Sequence, residues 1–168
     1  MDRTGAKPVA GRRSFGIGLV VAALIAFADL SSKWVMETVF MEPPRVIPVL
    51  PFFNIVLVFN RGISFGLLGD VGPWGPIILS ALAVAIVGLL LVWLRRTERS
   101  GEAFGIAMIV GGASGNIVDR LHDGAVTDFL DFYADHYHWP AFNGADIFIT
   151  LGVACLIISS IGFGKNRT

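Results

Sequence analysis

The sequence contains a single cysteine, Cys155, which lies within an apolar run. One cysteine excludes an internal disulfide framework and any metal site built from several cysteines, and it disfavours a thiol mechanism. Charged residues are also scarce, at 15% of the 168 residues, and thirteen basic and thirteen acidic side chains leave a formal net charge of zero. Without an excess of positive charge, no nucleic-acid partner is expected. The chain lacks repeats and low-complexity tracts, which predicts a single domain.

Hydrophobic residues make up 54% of the chain, more than a soluble domain of this size needs. A helix needs roughly 20 apolar residues to cross the hydrocarbon core of a membrane. Four runs approach that length, and we predict transmembrane helices at residues 14–36, 71–94, 103–121 and 144–164. The first helix spans the core only if it continues past Asp29, so that a carboxylate lies within or near the membrane. Basic residues precede this run, as in a cleaved signal peptide, but no clear cleavage site follows, so we expect a retained span.

The distribution of basic residues predicts the orientation of these helices. Nine of the thirteen fall on the two tails and on the loop between spans two and three, and four fall on the opposite side. Because cytoplasmic loops are enriched in Lys and Arg, both termini are predicted to be cytoplasmic. The remaining connections, residues 41–70 and 122–143, then lie outside.

The two outer connections differ in composition. Residues 41–70 contain four prolines followed by a β-branched and aromatic run, which predicts short strands rather than a helix. We call this segment the outer platform. Residues 122–143 are expected to form an outer loop, with Tyr137 and Trp139 suited to the headgroup region. The predicted fold is therefore a mainly α membrane protein of four transmembrane helices, with a small β-rich platform between helices one and two.

Polar side chains gather at the outer ends of spans three and four. On a helix, Asn116, Asp119 and Arg120 fall at i, i+3 and i+4 and share one face. Nearby glycines, Gly111 and Gly115, have the small-xxx-small spacing that permits close helix packing. The topology brings four aspartates to the same membrane surface: Asp119, Asp128, Asp131 and Asp146. Ionisable groups beside a membrane span are costly and are functional candidates for that reason.

Several carboxylates close together in surroundings of low dielectric cannot all ionise easily, so one is expected to hold a proton. A protonated and an ionised aspartate can together activate water against a peptide carbonyl and protonate the leaving amine, as in aspartic proteases. The residue pattern does not distinguish Asp128 from Asp131 as the partner of Asp146. The dipole of the fourth helix favours an ionised Asp146, which suggests that its partner in the pair holds the proton.

Simpler interpretations exist for two of these pairs. Asn143 and Asp146 have the spacing of a helix N-cap with an acid at the third position, a capping-box-like arrangement. Asp29 and Lys33 fall at i and i+4 in the stabilising order of an ordinary helix ion pair, and a structural role is preferred for them.

Other functional classes are less well supported. His136 and His138 with Asp135 lack a third suitably placed metal ligand, so no metal or other cofactor is expected. A Ser/Lys hydrolase using Ser64 and Lys33 has no support from their spacing. A small transporter would need a polar path across the bilayer, whereas spans two and four are almost wholly apolar beyond their outer ends. A scaffold protein would have no use for clustered carboxylates.

Five ordered motifs resemble those of the bacterial lipoprotein signal peptidases, also called signal peptidase II, and the resemblance covers nearly the whole chain. The motifs are residues 29–33 (Asp-Leu-Ser-Ser-Lys), 60–66 (Asn-Arg-Gly-Ile-Ser-Phe-Gly), 115–120 (Gly-Asn-Ile-Val-Asp-Arg), 126–132 (Val-Thr-Asp-Phe-Leu-Asp-Phe) and 142–146 (Phe-Asn-Gly-Ala-Asp). The resemblance implies that Asp128 and Asp146 form a catalytic dyad. It also implies supporting residues: Asn116, Asp119, Arg120 and Asn143 line the site, and Asp29 and Asn60 support it. Ile63 and Ser64 depart from the family pattern, which often has two small residues there.

The resemblance implies an intramembrane aspartic endopeptidase of the bacterial inner membrane, acting near the outer face. Its substrates would be diacylglyceryl-modified prolipoproteins, cut before the lipid-bearing cysteine. Membrane lipids are the other expected partners, and the enzyme is expected to be a monomer. We further expect the substrate to enter sideways from the bilayer, with the outer platform as a platform or lid over the site.

Overall fold

The computed structural model describes residues 9–62 and 74–164, with side chains described for 14–62 and 74–161. The helices are α1 (Val9–Val35), α2 (Trp74–Arg96), α3 (Ser100–Asp123) and α4 (Gly144–Gly164), and a π-helical segment (Met36–Phe40) continues α1. The strands are β1 (Ile47–Leu50), β2 (Phe53–Asn60), β3 (Val126–Ala134) and β4 (Tyr137–His138). All four α-helices are long and apolar enough to cross a membrane, which confirms the predicted fold class.

Helix α3 is the most buried of the four and packs against α1, α2 and α4. Glycines allow its backbone to approach its neighbours closely. A Cβ atom on Gly111 would lie 2.7 Å from the Ala22 carbonyl oxygen of α1, and one on Gly112 would lie 2.5 Å from the Ala145 carbonyl oxygen of α4. Gly115 also faces α1, where a Cβ atom would collide with Asp29. The close packing predicted for the Gly111 and Gly115 spacing is confirmed.

The four strands form one antiparallel sheet in the order β1-β2-β3-β4. The outer platform supplies β1 and β2, as expected. Its residues 63–70, together with the first three residues of the predicted second span, lie outside the described residues. Residues 122–143, expected to be an outer loop with no strands assigned to it, supply β3 and β4. Strand β3 pairs along β2, and so covers an edge whose amide and carbonyl groups would otherwise lack partners.

The junction of α3 and β3 positions the polar residues. Gly124 caps the C-terminus of α3: its φ of 68° is left-handed, and its amide donates to the Arg120 carbonyl at 3.1 Å. Two residues later β3 begins, and the Thr127 amide donates to Asp119 Oδ2 at 3.1 Å. The strand carrying Asp128 is thereby fixed to the helix carrying Asn116.

Candidate active site

Asp128 and Asp146 line one cavity of about 290 Å³ at the junction of the helices and the sheet. The polar part of its wall also contains Asn60, Asn116 and Arg120. The apolar part includes Val126, Trp139 and Phe142. Residues from β2, α3, β3, α4 and the segment before α4 thus meet at a single site.

Asp128 lies on β3 and is almost fully buried, with 2% of its surface exposed. Its Oδ1 accepts a hydrogen bond from Asn143 Nδ2 at 2.6 Å, and its Oδ2 accepts one from Asn60 Nδ2 at 3.0 Å. Burial raises the pKa of Asp128 from 3.8 to about 6, and the nearby Asp146 carboxylate adds to the rise against the lowering effect of the two hydrogen bonds. Asp128 can therefore carry a proton in mildly acidic solution, where an ordinary aspartate is ionised.

Asp146 occupies the third position of α4, and Asn143 is the N-cap. Asn143 Oδ1 accepts from the Asp146 amide at 3.1 Å, and Asp146 Oδ2 accepts from the Asn143 amide at 3.2 Å. This reciprocal pair is a capping box, so that interpretation of the sequence is confirmed. Asp146 Oδ1 also accepts from Asn116 Nδ2 at 3.0 Å. The Asp146 carboxylate thus accepts two hydrogen bonds at the N-terminal end of α4.

Asn143 is the residue that links the two aspartates. It is completely buried, its side-chain amide donates to Asp128, and its backbone and side-chain oxygen cap the turn that carries Asp146. The capping function and the link to the second aspartate thus reside in one side chain.

A buried ionic network lies beneath the cavity, centred on Lys33. Its Nζ lies 2.7 Å from Asp29 Oδ2, 2.8 Å from Asp119 Oδ2 and 2.8 Å from the side-chain oxygen of Asn116. Asp29 Oδ1 in turn accepts from the Ala145 amide in the first turn of α4 at 2.8 Å. Asp29 and Asp119 therefore support the site from below rather than lining the cavity.

Sequence reasoning treated Lys33 as the structural partner of Asp29 and missed its link to the site. The i,i+4 spacing shows the pair within α1 but not the residues that α3 brings against it. The cost of a lysine inside a predicted span is the signal that could have identified it.

Asp131 faces away from the cavity. It lies three residues after Asp128, and side chains at odd spacing on a strand point to opposite faces. Asp131 accepts from Asn54 Nδ2 at 3.1 Å and lies 2.9 Å from His138 Nδ1. The structure thus places Asp128, not Asp131, on the side of Asp146, an alternative that the sequence pattern left open.

Arg120 brings a cation to the cavity wall. The carboxylates of Asp146, Asp128 and Asp119 all attract its guanidinium group. Its Nη1 reaches the Asn116 carbonyl at 3.5 Å, and its buried Nε has no hydrogen-bond partner among the described residues. Arg120 can therefore donate to a carbonyl oxygen in the cavity.

Two other sequence interpretations can be located. His136 is exposed beside Asp135 at the turn after β3, and His138 pairs with Asp131. The described parts of the chain contain no group of three His, Cys, Asp or Glu residues able to hold a metal ion. Ser64, with the rest of its motif from Ile63 onward, lies outside the described residues.

Residues 21–162, a range that contains every residue of the cavity, match the family model described as Signal peptidase (SPase) II. The chain is 46% identical over 151 residues to the lipoprotein signal peptidase of Azoarcus sp. (strain BH72), covering 89% of this chain and 84% of that protein. It is 41% identical over 155 residues to the lipoprotein signal peptidase of Aeromonas hydrophila subsp. hydrophila, covering 90% and 93%.

Two solved structures have the same fold. Both are described as a bacterial membrane enzyme structure by the in meso method, one at 2.3 Å and one at 1.9 Å resolution. The first has a TM-score of 0.79 and 26% identity, covering 91% of this chain and 92% of that one. The second has a TM-score of 0.73 and 28% identity, covering 86% and 92%.

Proposed function

Since the chain belongs to the signal peptidase II family, we propose that it is an aspartic endopeptidase that cuts diacylglyceryl-modified prolipoproteins before the lipid-modified cysteine. Family membership makes the chain a lipoprotein signal peptidase, a multi-pass hydrolase of the bacterial inner membrane. The aspartic mechanism is carried by one observation: Asp128 and Asp146 line the same cavity and are linked through Asn143.

In the proposed reaction, the ionised carboxylate of Asp146 takes a proton from a water molecule, whose oxygen attacks the scissile carbonyl carbon. Asp128 gives its proton to the carbonyl oxygen as the double bond opens, which produces a tetrahedral diol. On collapse, Asp146 gives its proton to the leaving nitrogen, the C–N bond breaks, and Asp128 regains a proton from a diol hydroxyl. Both carboxyl groups return to their starting protonation states.

The different surroundings of the two aspartates support this division of roles. Asp128 is held in a buried environment that raises its pKa, whereas Asp146 accepts two hydrogen bonds at the start of a helix. Titration of such a coupled pair belongs to the dyad as a whole.

The surrounding polar residues have supporting roles in this proposal. Arg120 binds a backbone carbonyl of the substrate through its guanidinium donors. The two aspartates are held by the hydrogen bonds given above from Asn60, Asn116 and Asn143. Asp29 accepts from the first turn of α4, and Asp119 accepts from the start of β3.

The substrate is proposed to enter sideways from the bilayer. The cavity adjoins a mainly apolar groove of about 390 Å³ along α4, to which Ile147, Thr150 and Leu151 contribute and which shares Asp146 with the cavity. A lipid already in the membrane gains little free energy by moving next to protein, so the lipid anchor serves mainly to position the scissile peptide.

The outer platform, residues 41–70, is proposed to act as a platform or lid over the site. It already reaches the dyad, since Asn60 donates to Asp128. Replacing the platform by a polar linker should abolish turnover, and unchanged turnover would refute this role.

We propose that the enzyme acts as a monomer with both termini in the cytoplasm. All the groups of the site come from one chain, so no second copy is needed to complete it. The excess of Arg and Lys on the tails and on the α2–α3 loop supports the orientation, which puts the cavity at the outer face.

The test is cleavage of a lipidated prolipoprotein by the purified full chain in lipid. Asp128→Asn and Asp146→Asn should each lower kcat by at least about 100-fold, the scale of an acid–base contribution. Asp131→Asn is the matched control, because it makes the same change on the opposite face of the same strand and should retain cleavage. Substantial cleavage by either dyad variant would argue against the mechanism.

A further inference from the structure

We propose that Lys33 is a positioning residue of the dyad: by holding the side-chain oxygen of Asn116, it turns the Asn116 amide toward Asp146 as a hydrogen-bond donor. This inference rests on the proposed aspartic mechanism and assigns a role in it to a residue outside the cavity. Lys33 is 2% exposed, and Asn116 is the side chain that joins it by hydrogen bonds to the Asp146 carboxylate.

The argument depends on the direction of each hydrogen bond. A side-chain amide has an acceptor at one end and a donor at the other, so Asn116 could face Asp146 with either end. An ammonium group has three donors and no acceptor, so the oxygen of Asn116 must face Lys33. The amide nitrogen is then left to donate to Asp146 Oδ1, at 3.0 Å. A reversed amide would put a donor against the ammonium and an oxygen against the carboxylate.

Lys33 is itself held in place. Its other contacts are with Asp29 on the same helix and Asp119 on α3, at 2.7 and 2.8 Å. Asn143 Nδ2 also donates to the side-chain oxygen of Asn116, at 3.3 Å, which favours the same amide orientation. The order along the network is therefore Lys33 to Asn116 to Asp146, with donors pointing toward the dyad.

A purely structural ion pair between α1 and α3 would also explain the burial of Lys33. The two roles differ in what they control, because loss of a structural pair lowers stability, whereas loss of the donor changes the protonation of the dyad. Several charged groups surround the dyad and must be kept balanced in any test: Asp29 and Lys33 on α1, Glu37 bonded to Thr127, and Asp119 and Arg120 on α3.

The main variant is Lys33→Met combined with Asp29→Asn, which removes one charge of each sign. It removes the ammonium donor to the Asn116 oxygen, so that only the longer 3.3 Å bond from Asn143 opposes reversal of the amide. An oxygen remains at position 29 for the Ala145 amide. We expect kcat for the lipidated prolipoprotein to fall about 10- to 100-fold, as for other outer-shell partners that orient a catalytic group, with little change in KM. The acidic limb of the kcat profile should move to higher pH, because a reversed amide disfavours the ionised Asp146.

Three further variants complete the experiment. Lys33→Arg keeps a donor-only cation and should keep the wild-type limb. Asn116→Ala removes the side chain through which Lys33 is proposed to act. Adding the Lys33→Met and Asp29→Asn changes to that variant should therefore lower kcat little further. Leu94→Ala, in the buried apolar cluster that α2 forms with α1 and α3, should lower the thermal unfolding temperature and leave the limb in place.

The proposal would be overturned if the double variant kept the wild-type kcat and acidic limb and only its unfolding temperature fell. It would also be overturned if the losses of kcat caused by the double change and by Asn116→Ala were fully additive. If the double variant does not fold, Lys33→Met with Asp119→Asn decides the matter. This pair also removes one charge of each sign and leaves no ammonium donor at the Asn116 oxygen, so the limb should again move, and an unmoved limb would refute the proposal. Failure of the aspartic mechanism is distinguishable, since it would show as activity retained in Asp146→Asn.

Discussion

Asp128 changes its protonation state within the pH range in which the enzyme can be assayed, because burial raises its pKa to about 6. As the proposed acid, it must be protonated, so kcat/KM should fall as the pH rises through about 6. A bound substrate excludes water and favours the neutral carboxyl further, so the corresponding limb of kcat should lie at higher pH. Initial rates of prolipoprotein cleavage between pH 4 and pH 9 would measure the falling limb of kcat/KM and that of kcat.

A dependence of activity on pH with the opposite sign would also assign the roles of the two aspartates. Activity that rises with pH through the same range would show that Asp128 must be ionised, and the acid and base roles of the dyad would be exchanged. Buffer pairs that overlap in pH control for specific ion effects.

Asn143 combines a structural and a functional task that two substitutions can separate. Asn143→Ala removes the cap of α4, at a cost of about 1 kcal/mol, together with the hydrogen bond to Asp128. Asn143→Ser retains a capping oxygen but no donor at the position of Nδ2. We expect the serine variant to unfold at a higher temperature than the alanine variant, while both lose most of their cleavage activity. An active serine variant would mean that the link to Asp128 is dispensable.

At the scale of elements, the contact between α3 and α4 determines where Asp146 lies. Gly112→Ala would place a Cβ atom 2.5 Å from the carbonyl oxygen of Ala145, the residue just before Asp146, so the helices must separate. We expect a loss of activity and of 1–3 kcal/mol in the free energy of unfolding, roughly the cost of overpacking. Gly88→Ala on α2 is the matched control, because a Cβ there meets nothing within 4 Å.

The comparison of the two glycine variants uses cleavage rates and thermal unfolding in the same detergent. Equal behaviour of both variants would show that the helix spacing at Gly112 does not control the site.

The elements could be predicted from the sequence to different degrees. The helices follow from apolar runs, since only a helix satisfies its own backbone in lipid. The platform strands follow from the prolines and the β-branched run before Asn60. Strand β3 did not follow, because its aspartates interrupt the apolar alternation, and its pairing with β2 depends on a contact about 70 residues away along the chain.

Site residues show the same division between local and non-local information. The capping box of Asn143 and Asp146 was predictable, because its two residues are three apart. The choice of Asp128 over Asp131 came only from the family resemblance, since strand β3 was not foreseen and the facing of its side chains was therefore unknown. The links of Lys33 to Asp119 and Asn116 join α1 to α3 and depend on the packing of those helices.

In the molecule as a whole, the buried polar groups lie where three helices and a sheet converge. There they can bond one another, which offsets the free energy lost when they leave water. Each ionised group in the network has an opposite charge or a donor beside it, as burial requires. The rest of the helical surface can then remain apolar and face lipid.

The orientation of the whole chain is a prediction that does not depend on the chemistry of the site. In a Cys155→Ala background, which removes the single native thiol, Asp135→Cys places a cysteine at the exposed turn after β3 and Glu98→Cys places one at the exposed α2–α3 loop. With both termini cytoplasmic, a membrane-impermeant thiol reagent should label the first cysteine in spheroplasts and the second only after permeabilisation, because the basic residues hold the α2–α3 loop inside. The Cys155→Ala protein without a new cysteine controls for background labelling. If only Glu98→Cys were labelled in spheroplasts, the chain would have the opposite orientation and the dyad would lie at the cytoplasmic face. The prolipoprotein cleavage site would then have to reach the dyad from the cytoplasmic side of the membrane.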